Sequence, residues 1–255
     1  FVFKLLRPLI LPIVILLIWQ LVYINEVFLE ALFPGPKAVW LKFWEMTLNG
    51  ELFIHVGVSL RRVLLGFLLA MALAIPFGLI LGWYKKAEHF CEVVIHVGRT
   101  IPIMAWIPLT IMWFGMGEIS SILIIMLGAF FPTFFNTIAG VREVNKNHID
   151  AALNLGVKPN SWMLFKEVVL PSSVPFIVTG QNISLGYALS AIVAAELIFK
   201  NEGIGYLLMD GRIQYSFETV ILMMVILCFL GLILNVGIKI LENTLSPWRY
   251  GLKIQ

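Results

Sequence analysis

Long apolar blocks separated by short polar segments run through the whole chain. Six blocks stand out, at residues 8–24, 57–83, 99–115, 119–140, 168–198 and 218–240. A helix needs about 20 apolar residues to cross the hydrocarbon of a bilayer, so most of these blocks are long enough to span it. Because the apolar residues are continuous and do not alternate with polar ones, the pattern predicts helices that satisfy their own backbone hydrogen bonds. We therefore expect an all-α, polytopic membrane protein with about six transmembrane helices.

Two segments modify this simple picture. The third block, RTIPIMAWIPLTIMWFG, contains Pro102 and Pro108, and each proline removes a backbone donor, so we expect a broken helix that lines a cavity. Between the first two blocks, a segment that begins FPGPKAVW mixes aromatic and charged residues, as expected of a helix at the membrane interface. We divide the chain into residues 1–55, with the first transmembrane helix and an outer interfacial helix, a core of residues 56–245, and a tail of residues 246–255.

Composition and charge support the membrane assignment and predict its orientation. Of 255 residues, 60% are hydrophobic and 13% are charged, and the mean hydropathy is +0.94, which is unlike a soluble domain. If both termini lie on one side of the bilayer, twelve Lys and Arg residues lie on that side and four on the other. The positive-inside rule therefore predicts that both termini, and the polar segment of residues 148–171, are cytoplasmic.

The sequence offers no catalytic or metal-binding constellation. No glycine-rich run ends in Gly-Lys-Ser or Gly-Lys-Thr, so the chain cannot hydrolyse ATP by the P-loop route. The four histidines are scattered, and Cys91 and Cys228 lie in or beside apolar segments, which gives no basis for a metal site or a disulfide framework. We expect neither enzymatic activity nor a bound cofactor, metal or nucleic acid.

The polar segment HIDAALNLGVKPNSWMLFKEVVLP, residues 148–171, interrupts the apolar chain. Ile149, Ala152 and Leu153 share one face of a short helix, Gly156 can end that helix, and a second short helix can start near Ser161. The flanking polar residues favour a surface on which a cytoplasmic partner docks. An ordinary structured loop is the alternative interpretation.

Within this segment, DAALNLG followed by VVLP resembles the EAA loop of ATP-binding cassette (ABC) importer permeases, with Asp150 in place of the usual glutamate. The motifs FPGPKAVW, SLRRVLLGF, FFPTFFNTIAGV, GYALSAIVAAELI, EGIGYLL and LSPWR resemble, in order, the nitrate, sulfonate and taurine branch of that family. The resemblance implies the type I ABC importer permease fold (MetI-like), with residues 56–245 as the permease core and a coupling loop at about 146–167. The stretch RTIPIMAW departs from the pattern of the branch and leaves the solute open.

The resemblance also implies a mechanism and its partners. The permease pairs with a second copy of itself as a homodimer in the bacterial inner membrane, and an extracytoplasmic solute-binding protein delivers a small anionic solute of the nitrate, sulfonate, taurine or bicarbonate class. Two cytoplasmic ATP-binding subunits each bind one EAA helix and supply the energy. The coupling residues implied by the resemblance are Asp150, Ala151, Ala152, Leu155, Gly156, Leu170 and Pro171.

Two alternatives remain open at this point. A standalone secondary transporter would show related halves and coupling carboxylates within the membrane, and neither is evident in the sequence. An importer permease for a non-anionic heterocyclic precursor would share every motif named above.

Several residues are candidates for the translocation path. Gln181, Asn182 and Tyr187 are polar groups at membrane depth, which usually face a partner or a water-filled path. Pro102, Met104 and Trp106 of the broken third block are expected to line the same cavity, and simple packing is the alternative.

Small and charged residues near these candidates are interpreted structurally. We expect close helix packing, in preference to pore lining, from a stripe of Gly180, Ser184, Ala188, Ala191 and Ala195. Glu196 and Arg62 lie near the ends of their blocks and are expected to be structural, whereas residues 205–215 are expected to form an outer loop that meets a binding protein.

Overall fold

The computed structural model describes residues 2–29, 32–84, 86, 90, 93, 97–98, 100–198 and 202–245. Over these residues the chain forms helices and turns and no strand. The helices are α1 (Val2–Ile24), α2 (Pro36–Leu48), α3 (Glu51–Trp83), α4 (Ile103–Phe114), α5 (Glu118–Arg142), α6 (Lys146–Asn154), α7 (Trp162–Leu164), α8 (Leu170–Ile198), α9 (Ile204–Ile213) and α10 (Phe217–Leu245). A π-helical turn, Phe165–Val169, joins α7 to α8. The predicted all-α fold is confirmed.

Each of the six apolar blocks forms a helix. Four helical segments are long and apolar enough to cross a membrane, and they are Glu51–Trp83, Glu118–Arg142, Trp162–Ile198 and Phe217–Ile240. Two shorter apolar helices, Ile10–Ile24 and Ile103–Phe114, account for the first and third blocks. The third block is therefore interrupted as predicted, but the interruption falls at Pro102, because Pro108 lies inside α4 without ending it.

The chain divides by its contacts into two compact units. Unit 1 contains Phe1–Ser59 and Glu196–Cys228, and unit 2 contains Leu60–Ala195 and Phe229–Gln255. The predicted boundary between residues 55 and 56 falls inside α3, and the predicted division into an N-terminal part, a core and a tail stays a prediction. The predicted tail, residues 246–255, lies outside the described residues.

In unit 1, α1 and α2 meet through an aromatic corner. Trp19 Nε1 donates a hydrogen bond to the carbonyl oxygen of Pro34 at 3.1 Å, and the rings of Trp19 and Phe33 pack edge to face. The helix predicted at the membrane interface is present as α2, which exposes Trp40 beside Phe43. The segment predicted as an outer loop, residues 205–215, instead forms helix α9 over most of its length.

In unit 2, α3 lies parallel to α5. A Cβ atom added at Gly66 would lie 2.7 Å from Ile125, and one added at Gly78 would lie 2.7 Å from Thr137. In both pairs the partner lies 59 positions later in the chain, so the two helices run in the same direction. Glycine at these positions lets the helix backbones approach closely.

Helix α8 packs against α5 in the opposite direction through the small-residue stripe. Ser184 Oγ donates a hydrogen bond to the carbonyl oxygen of Ala129 at 2.8 Å and lies 2.6 Å from Thr133 Oγ1. One end of the contact is at Gly180, where an added Cβ would lie 2.7 Å from the Asn136 Cβ. All five residues of the stripe are buried, so their predicted role in close helix packing is confirmed.

We expect the substitution Gly180→Leu to lower the amount of folded protein and its melting temperature. The new side chain must enter space that Asn136 and Thr133 already occupy, and overpacking of this kind costs about 1–3 kcal/mol. The matched control is Gly237→Leu in α10, where no atom lies within 4 Å of an added Cβ. Detergent-stable protein and thermal unfolding are the measurements, and equal losses in both variants would contradict the packing assignment.

Candidate coupling segment and translocation cavity

The first half of the polar segment is a short, capped, amphipathic helix. Asn145 precedes α6, and its Oδ1 accepts a hydrogen bond from the Asn147 backbone N–H at 2.9 Å, which satisfies one donor at the helix start. Ala152 is buried, and Ile149 packs on a buried cluster formed by Val141, Val144 and Val169. One face of α6 is therefore held against the chain, while the other faces outward.

A sharp turn at Gly156 ends this helix. Gly156 has φ +89°, and its N–H donates to the Leu153 carbonyl at 3.0 Å while the Val157 N–H donates to the Ala152 carbonyl at 3.1 Å. This pair of bonds is the Schellman arrangement, which needs a left-handed residue that glycine provides without a Cβ penalty. The predicted role of Gly156 in ending the helix is confirmed by this geometry.

The seven predicted coupling residues do not share one surface. Asp150, Ala151 and Leu155 are exposed, and Leu155 is 86% exposed although it is apolar. Ala152 is buried against the chain itself, because it lies about 100° around the helix from Ala151. The remaining residues are Gly156, which is exposed, and Leu170 and Pro171, which are half-buried.

The second half of the segment re-enters the long helix through a widened turn. Ser161 caps α7, and its Oγ accepts a hydrogen bond from the Leu164 N–H at 3.2 Å. In the π-helical turn that follows, the Leu170 N–H donates to the Phe165 carbonyl. Pro171 explains the widening, since it cannot donate to the Glu167 carbonyl and its ring would clash there in a regular α-helix.

An aromatic groove, not anticipated from the sequence, lies beside this turn. Phe165 packs against both Trp83 and Trp162, with ring centroids 5.3 Å apart in each pair. The groove has a volume of about 290 Å³, and its lining includes Pro76 and Tyr84 of the α3 end. The aromatic residues were visible in the sequence, but the pairing of Trp83 with Phe165 joins residues about 80 positions apart, which no local pattern predicts.

Unit 2 also contains a larger cavity, of about 390 Å³, between α4, α5 and α8. It brings together three of the predicted path residues, Pro102, Trp106 and Tyr187. The other lining residues are Ile101, Ile103, Leu127, Gly128, Phe131, Pro132, Phe135, Asn136 and Ile183. None of the described residues that line the cavity carries a charge.

The other three predicted path residues lie outside this lining. Met104 is exposed on a different face of α4, because it is about 100° from Ile103 and 200° from Trp106 around the helix. Gln181 and Asn182 are half-buried beyond the lining face of α8, which presents Ile183 and Tyr187 to the cavity. Among the described residues, the buried Oδ1 of Asn182 accepts no hydrogen bond.

Asn136 is a cavity residue that the sequence analysis missed. Its Nδ2 donates a hydrogen bond to the Pro132 carbonyl at 2.8 Å, one turn earlier in α5. The only signal in the sequence was a single amide within the apolar stretch FFPTFFNTIAGV. Such an amide can equally well bind the helix backbone or line a cavity.

Comparison with known proteins identifies the family. Residues 74–248, more than half of the chain, match the family described as binding-protein-dependent transport system inner membrane component. The chain belongs to this family.

Relatives of this permease cover nearly its whole length. An ABC transporter permease protein of Methanocaldococcus jannaschii is 39% identical over 95% of this chain and 92% of its own. A Bacillus subtilis protein named as the aliphatic sulfonates transport permease SsuC is 37% identical over 95% and 87%. The taurine transport system permease protein TauC of Escherichia coli is 30% identical over 92% and 86%. The resemblance to the nitrate, sulfonate and taurine branch is confirmed.

The fold of the permease has a counterpart among solved structures. A chain from inward-facing conformations of the MetNI methionine ABC transporter superposes with a TM-score of 0.65 and 18% identity, over 75% of this chain and 94% of that one. This match supports the predicted MetI-like fold. The chain is a multi-pass transport subunit and not an enzyme, and its family works with ATP-binding subunits and a binding protein.

We expect Gly156→Val to speed amide hydrogen exchange at residues 156 and 157 of this permease by about tenfold, because a left-handed backbone costs an ordinary residue about 1–2 kcal/mol. No atom lies within 4 Å of an added Cβ, so backbone conformation alone is tested. Gly156→Asn is the control, since asparagine tolerates this conformation. Equal exchange in both variants would show that the turn does not need its left-handed residue.

Proposed function

We propose that this permease imports a small anionic solute of the nitrate, sulfonate, taurine or bicarbonate class, delivered by an extracytoplasmic binding protein. The observation that carries this proposal is the similarity, along nearly the whole chain, to permeases named for aliphatic sulfonates and for taurine. We further propose that both termini and the polar segment lie in the cytoplasm, on the basis of the lysine and arginine distribution. The inner membrane of a bacterial cell is proposed as the location, in keeping with the description of the family.

The outward face of α6 is proposed as the contact with the ATP-binding subunit. It offers a carboxylate from Asp150 and a small side chain from Ala151, and Leu155, directly after the last residue of α6, adds an apolar side chain. All three residues are exposed. A large apolar side chain at the tip of a capped, rigid helix is a typical binding contact, because little conformational freedom is lost when it is buried. Gly156 supports this contact through its turn, whereas Ala152 supports it from inside by holding α6 to the chain.

A homodimer is proposed as the transporting form. Helix α8 exposes Thr179, Ile183, Gly186, Tyr187 and Ser190 at intervals of three and four residues, so they form one stripe beside the cavity. The Thr179 and Ser190 hydroxyls donate to the Pro175 and Gly186 carbonyls of the same helix. A partner is therefore indicated by Tyr187, whose polar hydroxyl favours a partner helix or water over lipid. A second copy facing the same stripe across a two-fold axis would enclose a path between the two cavities.

The relatives do not favour the alternative solute, but the cavity lining is compatible with it. The aromatic lining, with Trp106, Phe131 and Phe135, is uncharged and suits a planar ring as well as a passing anion. A non-anionic heterocyclic precursor is therefore kept as the alternative solute in the transport assay.

The function is tested by reconstituting the permease with its ATP-binding subunit and binding protein in proteoliposomes. We expect ATP-dependent uptake of at least one of labelled taurine, methanesulfonate, nitrate and bicarbonate. We further expect Leu155→Ala to reduce both the retention of the ATP-binding subunit and uptake by about tenfold or more, because truncation of a central apolar contact costs about 2 kcal/mol.

The matched control is Leu48→Ala in α2, since Leu48 is 82% exposed and Leu155 is 86% exposed. Truncation of either leucine removes little packing, so both variants should fold. Unchanged subunit retention in Leu155→Ala would refute the coupling assignment. Uptake of an uncharged pyrimidine in place of all four of these solutes would select the alternative.

The path assignment is tested by cysteine labelling of two adjacent residues in a chain whose Cys91 and Cys228 are replaced by alanine. We expect Tyr187→Cys to react with a water-soluble thiol reagent and Ala188→Cys to remain protected. Tyr187 lines the cavity, whereas Ala188 is fully buried about 100° around the same helix. Protection of position 187 in every nucleotide state, or equal labelling of both positions, would refute the path.

A further inference from the structure

Three consecutive backbone N–H groups at the start of α9 are bound by side chains from other parts of unit 1. The Gly203 N–H donates to His55 Nδ1 at 3.0 Å, the Ile204 N–H to Ser59 Oγ at 2.8 Å, and the Gly205 N–H to Glu196 Oε2 at 3.0 Å. These N–H groups have no acceptor within their own helix, so external partners determine where the helix begins. We call His55, Ser59 and Glu196 the α9 network.

The carboxylate of Glu196 is the centre of this network. It is 1% exposed and accepts hydrogen bonds from Ser59 Oγ at 2.9 and 2.8 Å as well as from Gly205. A negative charge at a helix N-terminus is stabilised by the helix dipole, which offsets part of the cost of its burial. Glu196 therefore links α8, α3 and α9 through one buried group.

Gly203 is required by this arrangement for two reasons. Its φ of +130° is a conformation that other residues avoid, and an added Cβ would collide with the Glu196 carboxylate. The ring of His55 stacks on Tyr206 with centroids 5.6 Å apart, which fixes the next residue of the helix. The start of α9 is thus held by contacts on four successive residues.

The other end of α9 is exposed. Arg212, Ile213, Gln214 and Tyr215 are all accessible, and the Ser216 N–H closes the helix by donating to the Gly211 carbonyl at 2.8 Å. Tyr215 has φ +57°, a left-handed conformation that costs a residue other than glycine about 1–3 kcal/mol. Tyrosine and arginine side chains are typical of the centres of protein interfaces.

We propose that Glu196, with Ser59 and His55, is a positioning group for transport, because the α9 network orients the exposed Arg212–Tyr215 end of α9 toward the binding protein. The binding protein is assigned as the partner of this exposed end for two reasons. The family depends on a binding protein, and residues 199–216 fall on the side of the membrane predicted to carry few lysines and arginines, which is the extracytoplasmic side. This role rests on the proposed function. Because the α9 network fixes the first residues of α9, the exposed end of this helix is already ordered before docking, and less conformational entropy is lost when the binding protein docks.

The test measures ATP hydrolysis by the reconstituted permease and ATP-binding subunit as the binding-protein concentration is raised. The binding protein is supplied with taurine, methanesulfonate and nitrate together. In Ser59→Ala and Glu196→Gln, we expect the binding-protein concentration for half-maximal stimulation to rise about tenfold, which corresponds to about 1.4 kcal/mol of lost docking energy. Ser121→Ala is the matched control, since Ser121 and Ser59 are each 1% exposed.

The outcomes separate positioning from folding. The positioning role is overturned if Ser59→Ala and Glu196→Gln need the same binding-protein concentration for half-maximal stimulation as the Ser121→Ala control. In that case their rates of ATP hydrolysis fall only because less folded complex is present. Ser59→Ala keeps this test valid if Glu196→Gln does not fold, because it removes one hydroxyl and leaves the carboxylate in place. A wild-type complex that the binding protein does not stimulate contradicts the proposed function itself, whereas a stimulated wild type with unchanged variants contradicts the α9 network alone.

Discussion

The close contact between α5 and α8 determines much of unit 2. Ser184 reaches the Ala129 carbonyl at 2.8 Å, which requires the two helix backbones to lie nearer than large side chains would permit. In a bilayer, apolar side chains gain little by leaving lipid for protein, so this small-residue packing and its hydrogen bonds replace the hydrophobic effect as the source of specificity. With the stripe buried, the next face of α8 presents Tyr187 to the cavity, and the start of α8 carries the widened turn at Pro171.

Departures from regular helix occur at the places proposed to be functional. Pro102 delays the start of α4 at the cavity wall, Gly156 turns the chain after α6, and Gly203 begins α9 beside a buried carboxylate. A regular helix satisfies its backbone internally and offers only side chains, whereas an interrupted one exposes N–H and C=O groups that neighbouring residues can bind. The interruptions therefore create rigid, specifically shaped ends.

Sequence analysis predicted the features that depend on local chemistry. The helical blocks, the turn at Gly156 and the buried stripe around Ser184 follow from apolar length, glycine conformation and helical spacing. It assigned Met104 to the cavity because the face of a helix on which a residue lies cannot be predicted in a proline-rich block until the first residue of the helix is known. It could not find the bond between Ser59 and Glu196, since these residues are 137 positions apart and lie in two separate motifs, SLRRVLLGF and GYALSAIVAAELI, whose contact no local pattern predicts.

The chemistry of the cavity bears on where selectivity resides. A path must bind its solute well enough to admit it and weakly enough to release it. A lysine or arginine in the lining would hold an anion tightly, yet the described lining of this cavity is uncharged and its amide, Asn136, already donates to the Pro132 carbonyl. A solute that gains little from such a wall must be concentrated and oriented before it enters. Under the proposed function, that requirement leaves discrimination to the binding protein, and the proposed orientation of α9 for docking would then contribute to transport.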